Sequence, residues 1–168
     1  MTISDRVSTN YVLNVVGCKL WAHVASPTEL ILAQAIFTKL DELPGWKCWV
    51  YSVDEYRQTV EAAETEPALF ALVPQVPINE VGDVDLAIFI PSISKRWPIA
   101  VVECDGHPFH ERTPEQASND RRRDRRLERY RIPILRFTGT DVVRGSEEFA
   151  QEVVDFIGER VNRISAAQ

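Results

Sequence analysis

The sequence predicts a mixed α/β domain, in which helices flank a β-sheet. Apolar segments with β character are interleaved with segments of helical periodicity, and a capped helix separates two of the β segments. A strand, a helix and a second strand in that order are typical of a βαβ unit. The 168 residues are 45% apolar, which suffices for a buried core and excludes wholesale disorder. We expect a single domain over residues 1–168, with an N-terminal arm over 1–25 as an alternative.

One helix start is clear in the first half of the chain. Ser26 and Glu29 form an S-x-x-E capping pattern with Pro27 at the first helical position. An apolar stripe at helical spacing then continues until Pro44-Gly45 ends the helix. The other elements predicted here are an apolar segment over 11–25 that fits helix or strand, a strand over 46–53 and a helix over 54–63.

The second half alternates β segments with capped helices. The prolines within 68–78 indicate an irregular or edge strand, because proline cannot donate a ladder hydrogen bond. The further predictions are strands over 82–90 and 98–106, a helix from the cap Thr113 to about Tyr130, a strand over 132–139 and an amphipathic helix capped by Ser146.

Charge is unevenly distributed along the chain. The net charge is −6, yet residues 120–131 hold seven arginines against three acids, which leaves −10 on the remainder. The total argues against a generally basic coat protein for nucleic acid, but it is compatible with a local basic patch.

The cysteines and the apolar runs bear on the compartment. Cys18, Cys48 and Cys104 are far apart and form no CxxC pair, which argues against a disulfide framework or a structural zinc site. The N-terminus lacks the pattern of a signal peptide, and no apolar run is long enough to span a membrane. A reducing cytoplasm is the expected location.

Acidic residues interrupt two of the predicted strands. Strict alternation places Asp83, Asp85 and Ala87 on one face of the strand over 82–90. If that strand pairs with the next one as a hairpin, Asp85 and Glu103 project side by side. Neighbouring carboxylates in an apolar sheet require a compensating cation, and Mg²⁺ prefers such oxygen ligands.

A structural explanation competes with the metal site for each of these acids. Asp83 is better explained as a solvated residue that enters the strand from a turn at Gly82. Asp105 precedes Gly106 and fits either a turn or the site. Asp85 and Glu103 are flanked by apolar runs, which favours a functional role over a salt bridge with neighbouring arginines.

Four segments follow one another along the chain: GDVDLAI, IAVVECDG with a following histidine, D-x-x-R-x-x-x-L (Asp120, Arg123, Leu127) and IPILRFTG. Their order resembles the PD-(D/E)xK, or restriction-endonuclease-like, superfamily. Within it the sequence is most similar to small bacterial families related to very-short-patch-repair endonucleases. The resemblance covers about residues 26–158 and implies metal-dependent hydrolysis of phosphodiester bonds, with DNA as the expected substrate and Mg²⁺ or Mn²⁺ as the metal.

The resemblance assigns roles to four residues. Asp85 matches the first metal-binding aspartate of the superfamily, and Glu103 matches the glutamate of the second half-motif. Glu29 matches an acidic residue that many members place near the metal, and its role as a helix cap remains an equal alternative. Gln75 matches a glutamine found before the first motif strand, or serves the structure alone.

One residue departs from the superfamily pattern. Asp105 stands where the superfamily has a lysine that orients the attacking water and stabilises developing negative charge. We favour Asp105 as an additional metal ligand with His110 as the missing polar group. The alternatives are His107, a migrated Lys95 or Arg123, or loss of catalysis. A site for Zn²⁺ or Mn²⁺ on His107 and His110 is a further alternative.

The arginine-rich helix is expected to hold the phosphate backbone of a nucleic acid. A solvated helix with ion pairs between residues three apart is the alternative. Charged residues four apart on this helix have the same sign, which favours an anionic partner. The residues proposed for nucleic-acid contact are Arg121, Arg122, Arg125, Arg126 and Arg129.

The function expected from the sequence is therefore that of a metal-dependent nuclease. The competing class is a non-catalytic nucleic-acid-binding or regulatory module that keeps the nuclease fold. The chain length leaves no room for a separate recognition domain, so specificity is expected from loops, a homodimer or a partner protein.

Overall fold

The computed structural model of the protein describes residues 16–62, 66–105 and 114–166. Within these ranges a five-stranded mixed sheet is flanked by helices, which confirms the predicted α/β class. The order of the strands across the sheet is the order in the chain. The strands are β1 (Lys47–Val50), β2 (Leu69–Ile78), β3 (Gly82–Phe89), β4 (Ala100–Asp105) and β5 (Ile134–Thr138), and the helices are α1 (Pro27–Asp41), α2 (Val53–Glu61), α3 (Pro114–Arg129) and α4 (Gly139–Ser165), with a helical segment over 16–21 before them.

The sheet combines parallel and antiparallel pairs. β1 runs parallel to β2, and β4 runs parallel to β5, with α3 between the last two in the chain. This arrangement confirms the predicted βαβ unit. The central pairs β2–β3 and β3–β4 are antiparallel.

Each face of the sheet is covered by a separate core cluster. Ile36 of α1 and Ile157 of α4 pack with Ile88 and Val102 on one face. Tyr56 of α2 and Leu127 of α3 pack with side chains of the opposite face, which include Val101. Residues of β4 therefore alternate between the two cores, and Glu103 shares with Val101 the face that α3 covers.

The segment over 68–78 is not an edge strand, but it is irregular at Gln75, where a φ of 50° interrupts the pairing with β3. β2 is an internal strand of ten residues that pairs with β1 and β3. β1 pairs with β2 only as far as Leu72, so Pro74 and Pro77 lie where no strand on that side requires an N–H.

The last helix begins earlier than its predicted cap, Ser146. Thr138 is the N-cap and forms a reciprocal capping box with Asp141. Gly145 has non-helical angles (φ −158°, ψ 49°), so a kink separates the first turns from the amphipathic part that the sequence predicts. None of the described helices is long and apolar enough to cross a membrane.

Candidate active site

The site lies where β3 and β4 separate at the carboxyl end of β4. Their pairing extends to Leu86 and Val102, and Asp85 is the next residue of β3. Asp85 Oδ2 accepts a hydrogen bond of 2.8 Å from the backbone N–H of Cys104. The Asp85 side chain thus holds the two strands together just beyond their last backbone pair.

A distortion of β2 opposite Asp85 changes which residues share a face. Gln75 has a φ of 50° and interrupts the β2–β3 pairing between Pro74 and Val76. The predicted strict alternation along β3 is therefore wrong at this point, because Val84 packs in the same core as Ala87. Asp85 lies at the position where the alternation shifts.

Glu29 is a helix cap, which is one of the two roles that the sequence left open, and its carboxylate also contacts β2. Its Oε1 accepts a bond of 2.8 Å from Ser26 Oγ, and its Oε2 accepts one of 2.9 Å from the N–H of Ala25, which precedes the N-cap Ser26. Gln75 Nε2 donates to the same Oε2 at 3.0 Å. The carboxylate therefore caps α1 and also connects α1 to the distorted part of β2.

Negative charge accumulates around Asp85. Burial raises the pKa of Asp85, and the charges of Glu29 and Asp105 raise that pKa further. The Cys104 N–H bond and the positive charge of Arg123 act in the opposite direction. Asp85 and Glu29 both line a small pocket between α1 and the sheet.

Glu103 lies on the side of the sheet that α3 covers, where two arginines surround its carboxylate. The side chain is buried, with Arg123 Nη2 at 2.6 Å from Oε1 and Arg136 Nε at 3.1 Å from Oε2. Burial raises the pKa of Glu103, whereas Arg123 and Arg136 oppose that shift. The negative charge of Asp85 also raises the pKa of Glu103. The two carboxylates nevertheless have different partners, because Asp85 bonds to the Cys104 N–H and Glu103 contacts the two arginines.

Arg136 is a site residue that the sequence analysis missed. It lies directly opposite Glu103 in the β4–β5 register. Its guanidinium also forms two hydrogen bonds to Asp124 of α3, at 3.0 Å and 2.5 Å. The available signal was an arginine inside the apolar segment IPILRF, where a charged residue requires a partner.

Of the two residues considered as replacements for the missing lysine, Arg123 contacts the candidate site and Lys95 has no described contact with it. Arg123 contacts Glu103 and also donates to the backbone carbonyl of Asp83, whereas Lys95 is exposed. Asp105 is half-buried at the end of β4. His107 and His110, and with them the proposed histidine roles and the cap Thr113, lie outside the described residues.

The arginines proposed for nucleic-acid contact are on the outer surface of α3. Arg126 also donates to the backbone carbonyl of Glu80, while the inner face of α3 presents buried Leu127 and half-buried Asp124. The five proposed residues, Arg121, Arg122, Arg125, Arg126 and Arg129, are all exposed.

The donors present fit a Mg²⁺ site with few protein ligands. Within 16–62, 66–105 and 114–166, no three His, Cys, Asp or Glu side chains converge closely enough to enclose an ion. Mg²⁺ is commonly held by only one or two carboxylates, with water and substrate phosphate completing the octahedron. Asp85 with its acidic neighbours meets that requirement, whereas Glu103 would have to exchange an arginine for the metal.

Comparison with protein-family models, with curated proteins and with solved structures finds no match to this chain.

Proposed function

We propose that the protein is a divalent-metal-dependent nuclease that hydrolyses phosphodiester bonds, with DNA as the expected substrate. The observation that carries the proposal is the position of Asp85. It is a half-buried carboxylate at the divergence of two strands, with Glu29 and Asp105 close enough to raise its pKa. Such a concentration of negative charge favours a bound cation.

Asp85 would be the principal ligand of Mg²⁺ or Mn²⁺, with Asp105 or Glu103 as the second carboxylate. When bound, the metal would activate water and neutralise charge on the phosphodiester. Glu29 holds Gln75 by a hydrogen bond and so fixes the backbone of β2 opposite Asp85. Glu29 is therefore a positioning residue in this proposal.

The arginines have two separate tasks in this proposal. Arg123 and Arg136 hold Glu103, and Arg136 also pairs with Asp124, so these two cations are balanced by two carboxylates within the site. The exposed arginines of α3 contact the backbone of the nucleic acid farther from the reacting bond.

Cleavage of plasmid DNA in Mg²⁺ and in Mn²⁺ tests the proposal. Asp85→Asn keeps an oxygen that accepts the Cys104 N–H, so the fold is retained while a charge is removed from the metal site. We expect the cleavage rate to fall by about two orders of magnitude or more. Asp54→Asn, at an exposed position of α2, serves as the matched control and should cleave at the wild-type rate.

The proposal fails if the folded wild-type protein leaves DNA intact with both metals. It also fails if Asp85→Asn cleaves as fast as Asp54→Asn, because the activity would then not depend on this site.

A non-catalytic nucleic-acid-binding module is the second candidate. The contacts of Glu103 favour it, because two arginines already compensate this carboxylate without a metal. The module predicts normal affinity for nucleic acid and no binding of Mn²⁺, which a calorimetric titration of each ligand separates from the nuclease.

A further inference from the structure

A second pocket lies at the opposite end of β4 from Asp85 and Glu103. Its lining includes Ile99 directly before β4, Trp97 two residues earlier and Tyr130 directly after α3. Two arginines, Arg131 and Arg160, also line this pocket, and none of its lining residues is acidic. The pocket therefore combines an aromatic and aliphatic wall with unopposed positive charge.

The aromatic wall is formed by a stacked pair. The rings of Trp97 and Tyr130 have centroids 4.9 Å apart and an interplanar angle of 22°. The guanidinium of Arg96 lies 5.1 Å from the centre of the Trp97 ring. Stacked rings with adjacent arginines are the surfaces on which single-stranded nucleic acids place their bases.

Arg160 is held in the pocket without full use of its donors. Its Nη2 donates to the backbone carbonyl of Arg131 at 2.7 Å, while its buried Nε has no hydrogen-bond partner among the described residues. Burial lowers the pKa of Arg160, and the charge of Arg163 lowers it further. An anion in the pocket would offset the positive charge of the guanidinium.

The distance to the candidate site suits one nucleic-acid strand. Arg123, which contacts Glu103, precedes Tyr130 by seven residues, which corresponds to roughly 10 Å along α3. From Ile99 to Cys104 the backbone of β4 covers roughly 16 Å. At about 3.4 Å per nucleotide, which is the axial spacing of one strand in duplex DNA, these lengths correspond to three to five nucleotides.

We propose that this pocket is a subsite for one unpaired nucleotide of the nucleic-acid substrate, whose base contacts Trp97 and Tyr130 and whose phosphate contacts Arg160. The inference rests on the proposed nuclease function and specifies its substrate class. A base within a duplex is stacked and paired, so it cannot enter a pocket without being released. The preferred substrate therefore has a single-stranded segment or end.

Binding of a fluorescein-labelled 12-nucleotide thymidine strand, compared with a duplex of the same length, tests this inference. The measurement is made by fluorescence anisotropy in EDTA, so it does not depend on the metal site or on cleavage. We expect Arg160→Gln and Trp97→Leu each to weaken binding of the single strand by roughly tenfold, with a smaller effect on the duplex. Arg144→Gln, at an exposed position of α4, is the matched control and should bind like the wild type.

The inference is overturned if folded Arg160→Gln binds the single strand as tightly as Arg144→Gln, or if the wild type prefers the duplex. Arg160→Gln decides the question even if Trp97→Leu does not fold, because Arg160 has no carboxylate partner to leave uncompensated among the described residues. If the wild type shows no metal-dependent cleavage but binds the single strand in a way that depends on Arg160, the proposed nuclease function is refuted and the proposed subsite stands.

Discussion

Glu103 shows how one buried charge organises its surroundings. Of the described charged residues, only Glu103 is buried. An unpaired carboxylate in that position would cost several kcal/mol. Arg123 and Arg136 come from different elements, so the ionised form of Glu103 fastens α3 and β5 to the end of β4.

Removal of one of these arginines should destabilise the fold. Arg136→Leu takes a cation from both Glu103 and Asp124, and we expect it to lower the free energy of unfolding by about 2–4 kcal/mol. Arg163→Gln removes an exposed ion pair with Glu159 and should cost less than about 0.5 kcal/mol. Urea denaturation of both variants measures the difference, and equal effects would show that the Glu103 network contributes nothing beyond a surface pair.

Tyr56 gives the protein a sensitivity to alkali. Burial raises the pKa of Tyr56, with a further contribution from Tyr51, and its hydroxyl donates to the carbonyl of Lys95 at 3.1 Å. In the unfolded chain the tyrosine pKa is about 10. Stability from the neutral phenol is therefore complete below pH 10 and is lost as pH rises towards the pKa of the folded state.

Tyr56→Phe should reduce this dependence on pH. Above pH 10 the wild type should lose about 1.4 kcal/mol more per pH unit than the variant, because one additional proton leaves on unfolding. At pH 7 the variant should be less stable by about 1 kcal/mol, since the hydrogen bond to Lys95 is removed. Denaturation curves at several pH values measure both, and parallel pH profiles would contradict the assignment.

At the scale of elements, two glycines with open surroundings predict opposite effects. An added Cβ would meet nothing within 4 Å at Gly82 or at Gly158. Gly82 begins β3 with a φ of 96°, which an alanine adopts only with strain, whereas Gly158 lies in the helical part of α4. Both positions therefore have room for a methyl group, and they differ only in backbone conformation.

Gly82→Ala should destabilise the protein by about 1 kcal/mol, and Gly158→Ala should stabilise it by about 0.5–1 kcal/mol. Thermal denaturation of the two variants under the same conditions provides the comparison. A shift of the melting temperature in the same direction for both would argue against the positive φ at Gly82.

Elements defined by local chemistry could be predicted from the sequence. The capping pattern at Ser26 and Glu29 identifies the start of α1, because both partners lie within one helical turn. The distortion at Gln75 and the pairing of Glu103 with Arg136 could not be derived in this way. They depend on contacts between residues that are far apart in the chain, and alternation along a single strand does not contain that information.

For the candidate site, the sequence identifies which carboxylates are unusual but not what they contact. Asp85 and Glu103 were identified because each carboxylate interrupts an apolar strand. A salt bridge of Glu103 with neighbouring arginines is the alternative that the sequence disfavours and the structure shows, whereas the sequence does not indicate the different partner of Asp85, the Cys104 backbone. That difference arises from the alternation of β4 between the two cores, and hence from how the helices pack.

At the scale of the whole molecule, an acidic protein carries one basic helix. The net charge of −6 repels nucleic acid at long range, whereas the exposed arginines of α3 attract it locally. The affinity for nucleic acid should therefore depend strongly on ionic strength, because binding to phosphates releases counterions.

The slope of log affinity against log salt concentration for duplex DNA reports how many phosphates the protein neutralises. Arg122→Gln with Arg125→Gln should reduce its magnitude by about 1.8, or roughly 0.9 for each phosphate that is no longer neutralised. Arg144→Gln on α4 should leave the slope unchanged. An unaltered slope in the double variant would place the DNA on another surface.

The order of the strands has a consequence for how the chain folds. Every strand of the described sheet lies beside its neighbour in the sequence, so the sheet can extend one strand at a time, with its longest connection the crossover through α3 from β4 to β5. The packing of α1 against α4 is different, because it joins the beginning of the fold to its end. The nascent chain can therefore complete its sheet once β5 has been synthesised, whereas the core on the α1 face closes only when the last helix has followed.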